Sequence, residues 1–575
     1  MLDWNVDYNK LRMVALGEKP ADLLLVNGKV ISVFSGDIID ANVAVAGSYI
    51  AGVGNYKQGQ TIVDLKGHYL IPGLIDSHIH IESSMLTPQA FAQAAVPHGT
   101  TAVLADPHEI VNVMGLEGWH YMVNASRHLP LDFFWQIPSC VPATHMETAG
   151  GAIGTQDMIE ALELFPDCPA LAEMMNYPGV VYGSAPVLEL IRQANERGLI
   201  VEGHAPGLRG LQLNAYLASS CSSDHECTSA EEAQEKLQLG MRLLIRGGSA
   251  AKNLQALLPL VNEHNYHRCA FCCDDRHPAD LLREGHLDHI LRKAIVAGLP
   301  AVRAIQMATL NPAVHYRLIG RGAIAPGYLA DMVLMDNLRD FNVEQVYKQG
   351  QLVAKQGQYL GETNAASDIN TGSSIILPEL PELGARLDMN PPPGASKVKV
   401  IEVIPDEILS HNLVMPVREA LENPDINRMA VIERHGRNGN VGLGLVKGFH
   451  INKGALASSV SHDSHNLIVV GKDKKSMENA LSKIAEMGGG MVVVEGNHIL
   501  AALALPVAGL MSPRTAAEVA SDHEALEAAA RSLGCNLPAP FMTLSFLALP
   551  VIPELRLTDM GLVDVNAFAL VDLWD

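Results

Sequence analysis

Between about residues 70 and 320, short apolar runs alternate with longer stretches of helical texture, and this alternation constrains the fold more than any other feature. "YLIPGLI" comes first, then "TTAVLAD" before "LEGWHYMVNASRH", and then "LDFFWQIPSC". "ALAEMMN" precedes "APVLELIRQANERG", "LIVEGHAP" precedes "LRGLQLNAYLAS", and "CSSDHE" precedes "SAEEAQEKLQLG". "RLLIRGGS" before "LQALLPLVNEH", and finally "CAFCCDD", complete the series. Eight strand-like segments separated by helices are the repeat of a (β/α)8 barrel. The predicted class is therefore α/β, with a TIM-like barrel over residues 71–320.

The flanks have a different texture. Within residues 1–70, "ADLLLVNGKVIS" and "ANVAVAGSYIAGVG" alternate apolar and polar positions around glycine turns. Residues 321–364 return to that pattern in "GAIAPGYLADMVLMDNL" and "VEQVYKQGQLV". The two flanks are expected to close a small β-sandwich. A Pro/Gly/Ser-rich linker is expected over 365–397, around "LPELPELGARLDMNPPPGAS", followed by a separate α+β domain over 398–575.

Lys and Arg number 41 against 63 Asp and Glu, a net charge of −22. That balance argues against a nucleic-acid groove or an anionic membrane surface as partner. The longest uncharged apolar run, "ILAALALPVAGLM" at 499–511, is too short to cross a bilayer and contains a proline. The opening "MLDWNVDYNK" has no basic stretch leading into an apolar core, so no secretory signal is expected. Eight scattered cysteines in a chain of this size read as reduced thiols and point to the cytoplasm. Cys269, Cys272 and Cys273 lack the second pair a zinc knuckle needs, so they read as buried small hydrophobes. A homo-oligomer, a dimer, is expected.

Barrel enzymes carry their chemistry at the C-terminal ends of the strands. "IDSHIHIESS" places His78 and His80 two positions apart at the first such end. Residues i and i+2 of a strand share a face, so the two imidazoles, about 7 Å apart along the strand, can converge on one ion. Alone, His-x-His is as well explained by two hydrogen-bonded histidines. The other strand ends add Asp106 and His108, Glu173, His204, His225 and Asp274. Metal-ligand residue types at so many strand ends are hard to obtain from packing, because buried acids and imidazoles are costly unless paired or ligated. Four histidines, one Glu and one Asp exceed a single tetrahedral site. They suit two divalent ions bridged by Glu173, sharing a hydroxide whose proton Asp274 takes.

"PGLIDSHIHIESS", "EGHAP", "SDHE", "CDD" and "GAIAPGYLADMVLMD" resemble the amidohydrolase superfamily. "ADPHEIVNVMG", "AEMMN", "FCCDDRHPADLLREGHLD", "ASSVSHDSHNLIVVG" and "LSFLALPVIPELRLTD" are similar to segments of its bacterial adenine deaminases, and the likeness spans nearly the whole chain. The resemblance implies hydrolysis of adenine, a small purine base, to hypoxanthine and ammonia at a binuclear manganese or iron centre. Glu173 stands where many superfamily members use a carboxylated lysine, a departure shared with the adenine deaminases. An oxygen and nitrogen ligand set without thiolate also admits Mn or Fe as readily as Zn.

Substrate contacts are sought in the loops. Glu82, Ser83 and Ser84 follow the first strand, and Asp106, His108 and Glu109 the second. That second segment, "DPHE", reads as touching substrate, an extra metal or the ligand shell, or else as an Asp106-Pro107 turn with a capping role. Asp275 is the alternative to Asp274 as proton acceptor. "SHDSHN" at 461–466 reads as a segment closing over a pocket or as a solvated loop. "EMGGGMVVVEG" reads as a helix end turning into a strand, since no Lys-Ser/Thr follows the glycines. The rival functions are hydrolysis of a cyclic amide, as in dihydropyrimidinases and hydantoinases, and a non-enzymatic barrel scaffold.

Overall fold

The computed structural model describes residues 6–249, 252–361, 374–404 and 409–575. All eight expected central strands are present. Leu74–His80 pairs with Thr100–Ala105, which pairs with Asp132–Trp135. A bridge from Ile137 to Leu171 leads to Ala170–Met174, which pairs with Ile200–Gly203. A bridge from Val201 to Cys221 leads to Ser223–Asp224, then Arg242–Arg246 and Cys269–Cys272. Asp274–Asp275 then pairs with Ile79 and His80 of the first strand. Every one of these contacts is parallel, and the last returns to where the first began.

The apolar character of these strands follows from burial on both faces. In Thr100–Ala105, Ala102 and Leu104 join one core cluster with Ile75, Ala170 and Ile200. Val103 and Ala105, on the alternate face, join the larger core beneath the helices. Between strands, helices such as Ala185–Glu196 bury one stripe, here Leu190, Ile191 and Ala194.

The sandwich expected of the two flanks is one hydrogen-bonded sheet of nine strands. Tyr69–Pro72 joins the flanks, pairing parallel with Ala21–Ile31 and antiparallel with Met332–Met335. The sheet curls until Tyr49 bridges Leu329, which lets one sheet enclose its own core of Leu25, Val43, Ile50, Leu70 and Met332.

Of the expected linker, 365–373 lies outside the described residues. The part from 374 onward is packed, contrary to the reading from its composition. Helix Leu380–Arg386 and the residue after it bury Leu383 and Leu387, four positions apart, against Met477, Leu481 and Ile484. That pair of leucines outweighs the surrounding Pro and Gly. The C-terminal region holds an eight-stranded sheet, mostly antiparallel. Helix Lys474–Met487 is capped by Asp473, which accepts from Ser476 N–H, and ends at Gly488 with φ 73° before strand Gly490–Glu495. Helix Ala516–Ser532 opens with a Thr515/Glu518 capping box.

The C-terminal region is fastened to the loop after Asp132–Trp135 by local hydrogen bonds. Asp559 accepts from Thr148 N–H at 2.8 Å and Thr148 O–H at 2.7 Å, and Thr558 O–H donates to the Met146 carbonyl at 2.6 Å. Asn466 donates to the Thr148 carbonyl at 2.9 Å. The Asn466 bond ties 461–466 to the same loop, and Ser461 through Asn466 are all buried.

Candidate active site

Six of the expected residues converge. His78 Nε2 lies 3.2 Å from His80 Nε2, and Asp274 Oδ1 lies 3.6 Å and 3.2 Å from those two nitrogens. Glu173 reaches His80 Nε2 at 3.3 Å through Oε1, and His204 Nδ1 at 2.6 Å and His225 Nε2 at 3.1 Å through Oε2. The His78 and His225 rings stack with centroids 4.1 Å apart. Glu173 is thus a carboxylate that reaches both histidine pairs. Burial alone would raise its carboxyl, but His204, His225 and His80 around it hold it well below the usual range. Asp274 is held down in the same way against burial, by Arg246 and the adjacent histidines.

Each ligand-type residue is fixed from behind. Asp76 Oδ1 accepts from the backbone N–H of His78 at 3.3 Å and of Cys273 at 3.0 Å, tying the first strand end to the last. Asp274 itself sits at φ 59°, a conformation side-chain-bearing residues seldom adopt, so the strand kinks at this residue. His80 Nδ1 donates to the Asp106 carbonyl at 3.0 Å, leaving Nε2 free to face the centre. Tyr216 O–H donates to the Met174 carbonyl at 2.9 Å and accepts from His204 N–H at 3.0 Å. Buried Lys236 donates to the Ala205 carbonyl at 2.6 Å and to Asp224 at 3.0 Å, locking together the two turns that carry His204 and His225.

The cluster opens into a cavity of about 200 Å3. His80, His108, Glu109, Glu173, His204, His225, Asp274 and Asp275 line one side. His78, Glu82, Ser83 and Asp106 stand one layer back. Asp106 holds His108 Nδ1 at 3.2 Å rather than capping the helix that follows. Ser83 O–H faces both Glu109, at 2.9 Å, and Asp275. Glu82 accepts from Ile110 N–H at 3.2 Å. Burial pushes Glu82 up to about 7, and burial with the Glu82 charge beside it pushes Glu109 up to about 8. Between the two aspartates, Asp274 faces the histidines and Asp275 faces Ser83.

Two residues of this side were not anticipated. Arg246 bonds Asp274 Oδ2 at 2.5 Å and forks onto Glu226. Arg246 ends the strand "RLLIR", and Glu226 follows His225, so their places at strand ends were the signal that could have found them. The opposite side comes from the C-terminal region, as Leu409, His462, Asp463, Phe546, Leu549 and Val551–Pro553; His462 and Asp463 lie in the segment read as closing over a pocket or as a solvated loop, and the others were not anticipated. The reading of 461–466 as a solvated loop is excluded by its burial.

The arrangement is that of a hydrolase whose buried histidines and carboxylates can hold metal ions, and four groups of three or four such residues around this centre lie within ligand distance of one another. Residues 69–353 match the model of the amidohydrolase family, and residues 409–569 match the adenine deaminase C-terminal domain. Adenine deaminase of Dehalococcoides mccartyi (strain ATCC BAA-2266 / KCTC 15142 / 195) is 48% identical over 571 residues, covering 98% of each chain. That of Desulfatibacillum aliphaticivorans is 47% identical over 573 residues, again 98% of each. That of Methanothrix thermoacetophila is 46% identical over 569 residues, 97% of this chain and 98% of its own. The chain belongs to the adenine deaminase family of amidohydrolases.

Proposed function

We propose that the chain hydrolyses adenine to hypoxanthine and ammonia at a two-ion centre inside a closed (β/α)8 barrel. The observation that carries this reading is the convergence of His80, Glu173, His204, His225 and Asp274 on the floor of a cavity sized for one small ring system, with His78 directly behind them. The donors fit divalent ions. Two imidazole nitrogens 3.2 Å apart, in reach of two carboxylates and buried from water, make a set with more lone pairs than protons to share. Glu173 would be shared, with His78 and His80 on one side and His204 and His225 on the other, and Asp274 would complete the set. The absence of thiolate suits Mn or Fe as well as Zn. Ions held there would supply Lewis acidity and bring the pKa of water towards neutrality.

The protein's own groups handle position and protons. Water oxygen adds to C6 of adenine, and the bond from C6 to the exocyclic nitrogen breaks. Asp274 takes one proton from that water and passes it to the departing amine; the other ends on N1 of hypoxanthine. Arg246 holds Asp274 Oδ2, which leaves Oδ1 turned towards the histidines. Leu549, Val551 and Ile552 on the far wall keep bulk water out, so charges at the centre act through a low dielectric.

The same reading makes residues 398–575 a C-terminal α+β domain whose role is to complete the pocket. It is also in keeping with a cytoplasmic protein. Eight free, buried thiols are in keeping with a reducing compartment, and no helix among the described residues is long and apolar enough to cross a membrane. The test is ammonia and hypoxanthine release from adenine, beside ring opening of hydantoin, with ion content measured on the same sample. Adenine turnover that is lost on chelation and restored by Mn or Fe is the expected result. Hydantoin opening without adenine turnover would sink the reading.

A further inference from the structure

One group on the C-terminal wall is left unused by this chemistry. Asp463 lines the cavity yet is only 3% exposed. Its Oδ1 lies 3.7 Å from His462 Nδ1 and 3.8 Å from His108 Nε2, both beyond hydrogen-bond length. Its Oδ2 has no hydrogen-bond partner among the described residues. A buried carboxylate with unfilled acceptor capacity is costly unless a ligand donates to it.

His108 sets the spacing. Its Nδ1 is 3.6 Å from Glu173 Oε1, and its Nε2 is 3.8 Å from Asp463 Oδ1. One imidazole and two contacts therefore separate Asp463 from the hydrolytic cluster. A purine laid along His108, with its six-membered ring at Glu173 and Asp274, brings its five-membered ring to Asp463. Beside it, His462 stacks on Phe546 with centroids 4.7 Å apart and planes 20° apart, and both residues line the cavity as a flat aromatic surface. Adenine has one ring N–H, on its five-membered ring. Adenine substituted at N9, as in its nucleoside, has none, and an ionised carboxylate can only accept.

We propose that Asp463, supplied by the C-terminal region, accepts the five-membered-ring N–H of the bound purine and so selects free bases over N9-substituted nucleosides. The proposal rests on the adenine reading above. The size of the cavity agrees with it: about 200 Å3 is below the ~300–1,000 Å3 of pockets that take drug-sized ligands, and suits a ring system without a sugar.

The test compares adenine with 9-methyladenine on the ion-loaded full-length protein and its Asp463→Ala variant. The parent is expected to favour adenine in kcat/KM by about 10²-fold or more, as a site built around a donor rejects the analogue lacking it. In the variant the loss falls on adenine, chiefly in KM, and the preference drops below about tenfold. Equal losses on both substrates overturn the proposal. An ion-loaded parent that deaminates neither compound sinks the adenine reading instead. In that case, or if circular dichroism shows the variant misfolded, calorimetry on the parent decides. Hypoxanthine binding at least tenfold tighter than 9-methylhypoxanthine upholds the role of Asp463, and equal affinities remove it.

Discussion

The two walls of the cavity are built on opposite plans. The wall of central strand ends is a cluster of charges that compensate one another: Glu173 among three histidines, and Asp274 between His80 and Arg246. The wall from the C-terminal region is mainly apolar, with Leu409, Phe546, Leu549 and Ile552, and its polar groups are His462 and Asp463. Charges interact more strongly the less water reaches them. The second wall sets apolar side chains opposite the charged one, from hundreds of residues away in sequence. The comparison teaches that the charged groups and the apolar surroundings they face are supplied by different parts of the chain.

The largest effect is expected where the first wall loses its shared anion. In Glu173→Gln a neutral amide replaces the carboxylate between the two histidine pairs. Ion content by mass spectrometry should fall below that of the parent, and adenine turnover should fall to background. Retention of two ions with near-parent turnover would take Glu173 out of the site.

Asp274→Asn is expected to do less to ion content and to strike turnover instead. The loss of a general base is worth ~10²–10⁴-fold in kcat. An undiminished kcat would transfer the role to Asp275, which lines the same cavity one residue along.

The next effect comes from the seam between the walls. Asp559→Ala removes the acceptor for Thr148 N–H and O–H. Stability, read from the denaturant midpoint, should fall by about 1–3 kcal/mol. Because the apolar wall shifts while the charged wall stays, KM should rise more than kcat falls. Unchanged kinetics at lowered stability would mean that the wall is held in place by apolar packing alone.

The smallest effect is a control on the C-terminal region away from the cavity. Thr515→Ala removes the cap of helix Ala516–Ser532 and should cost about 1 kcal/mol with both kinetic constants unchanged. A change in KM would show that this helix also bears on the pocket wall.

Much of the charged wall could be read before any coordinates. Strand-like segments with His, Asp or Glu at their ends located His78, His80, Glu173, His204, His225 and Asp274, because a parallel strand buried on both faces leaves a nearly unbroken apolar run whose end is easy to see. The same rule passed over Arg246 because a basic residue does not resemble a ligand, yet its guanidinium compensates Asp274 and Glu226. Composition misled at 374–397, where two leucines at helical spacing decide the packing among prolines and glycines.

The sequence by itself determined the strand and helix rhythm of the central region, the residue types at the strand ends and the acidic character of the chain. These follow from local periodicity and from what burial permits. Only the tertiary structure decided that His462, Asp463 and Phe546 face Glu173 across one cavity, that Asp274 and not Asp275 turns towards the histidines, and that the flanks share a single sheet. None of these has a local signal. Each arises when segments far apart in sequence are brought together, and there the burial of apolar area and the pairing of otherwise orphaned polar groups choose one arrangement.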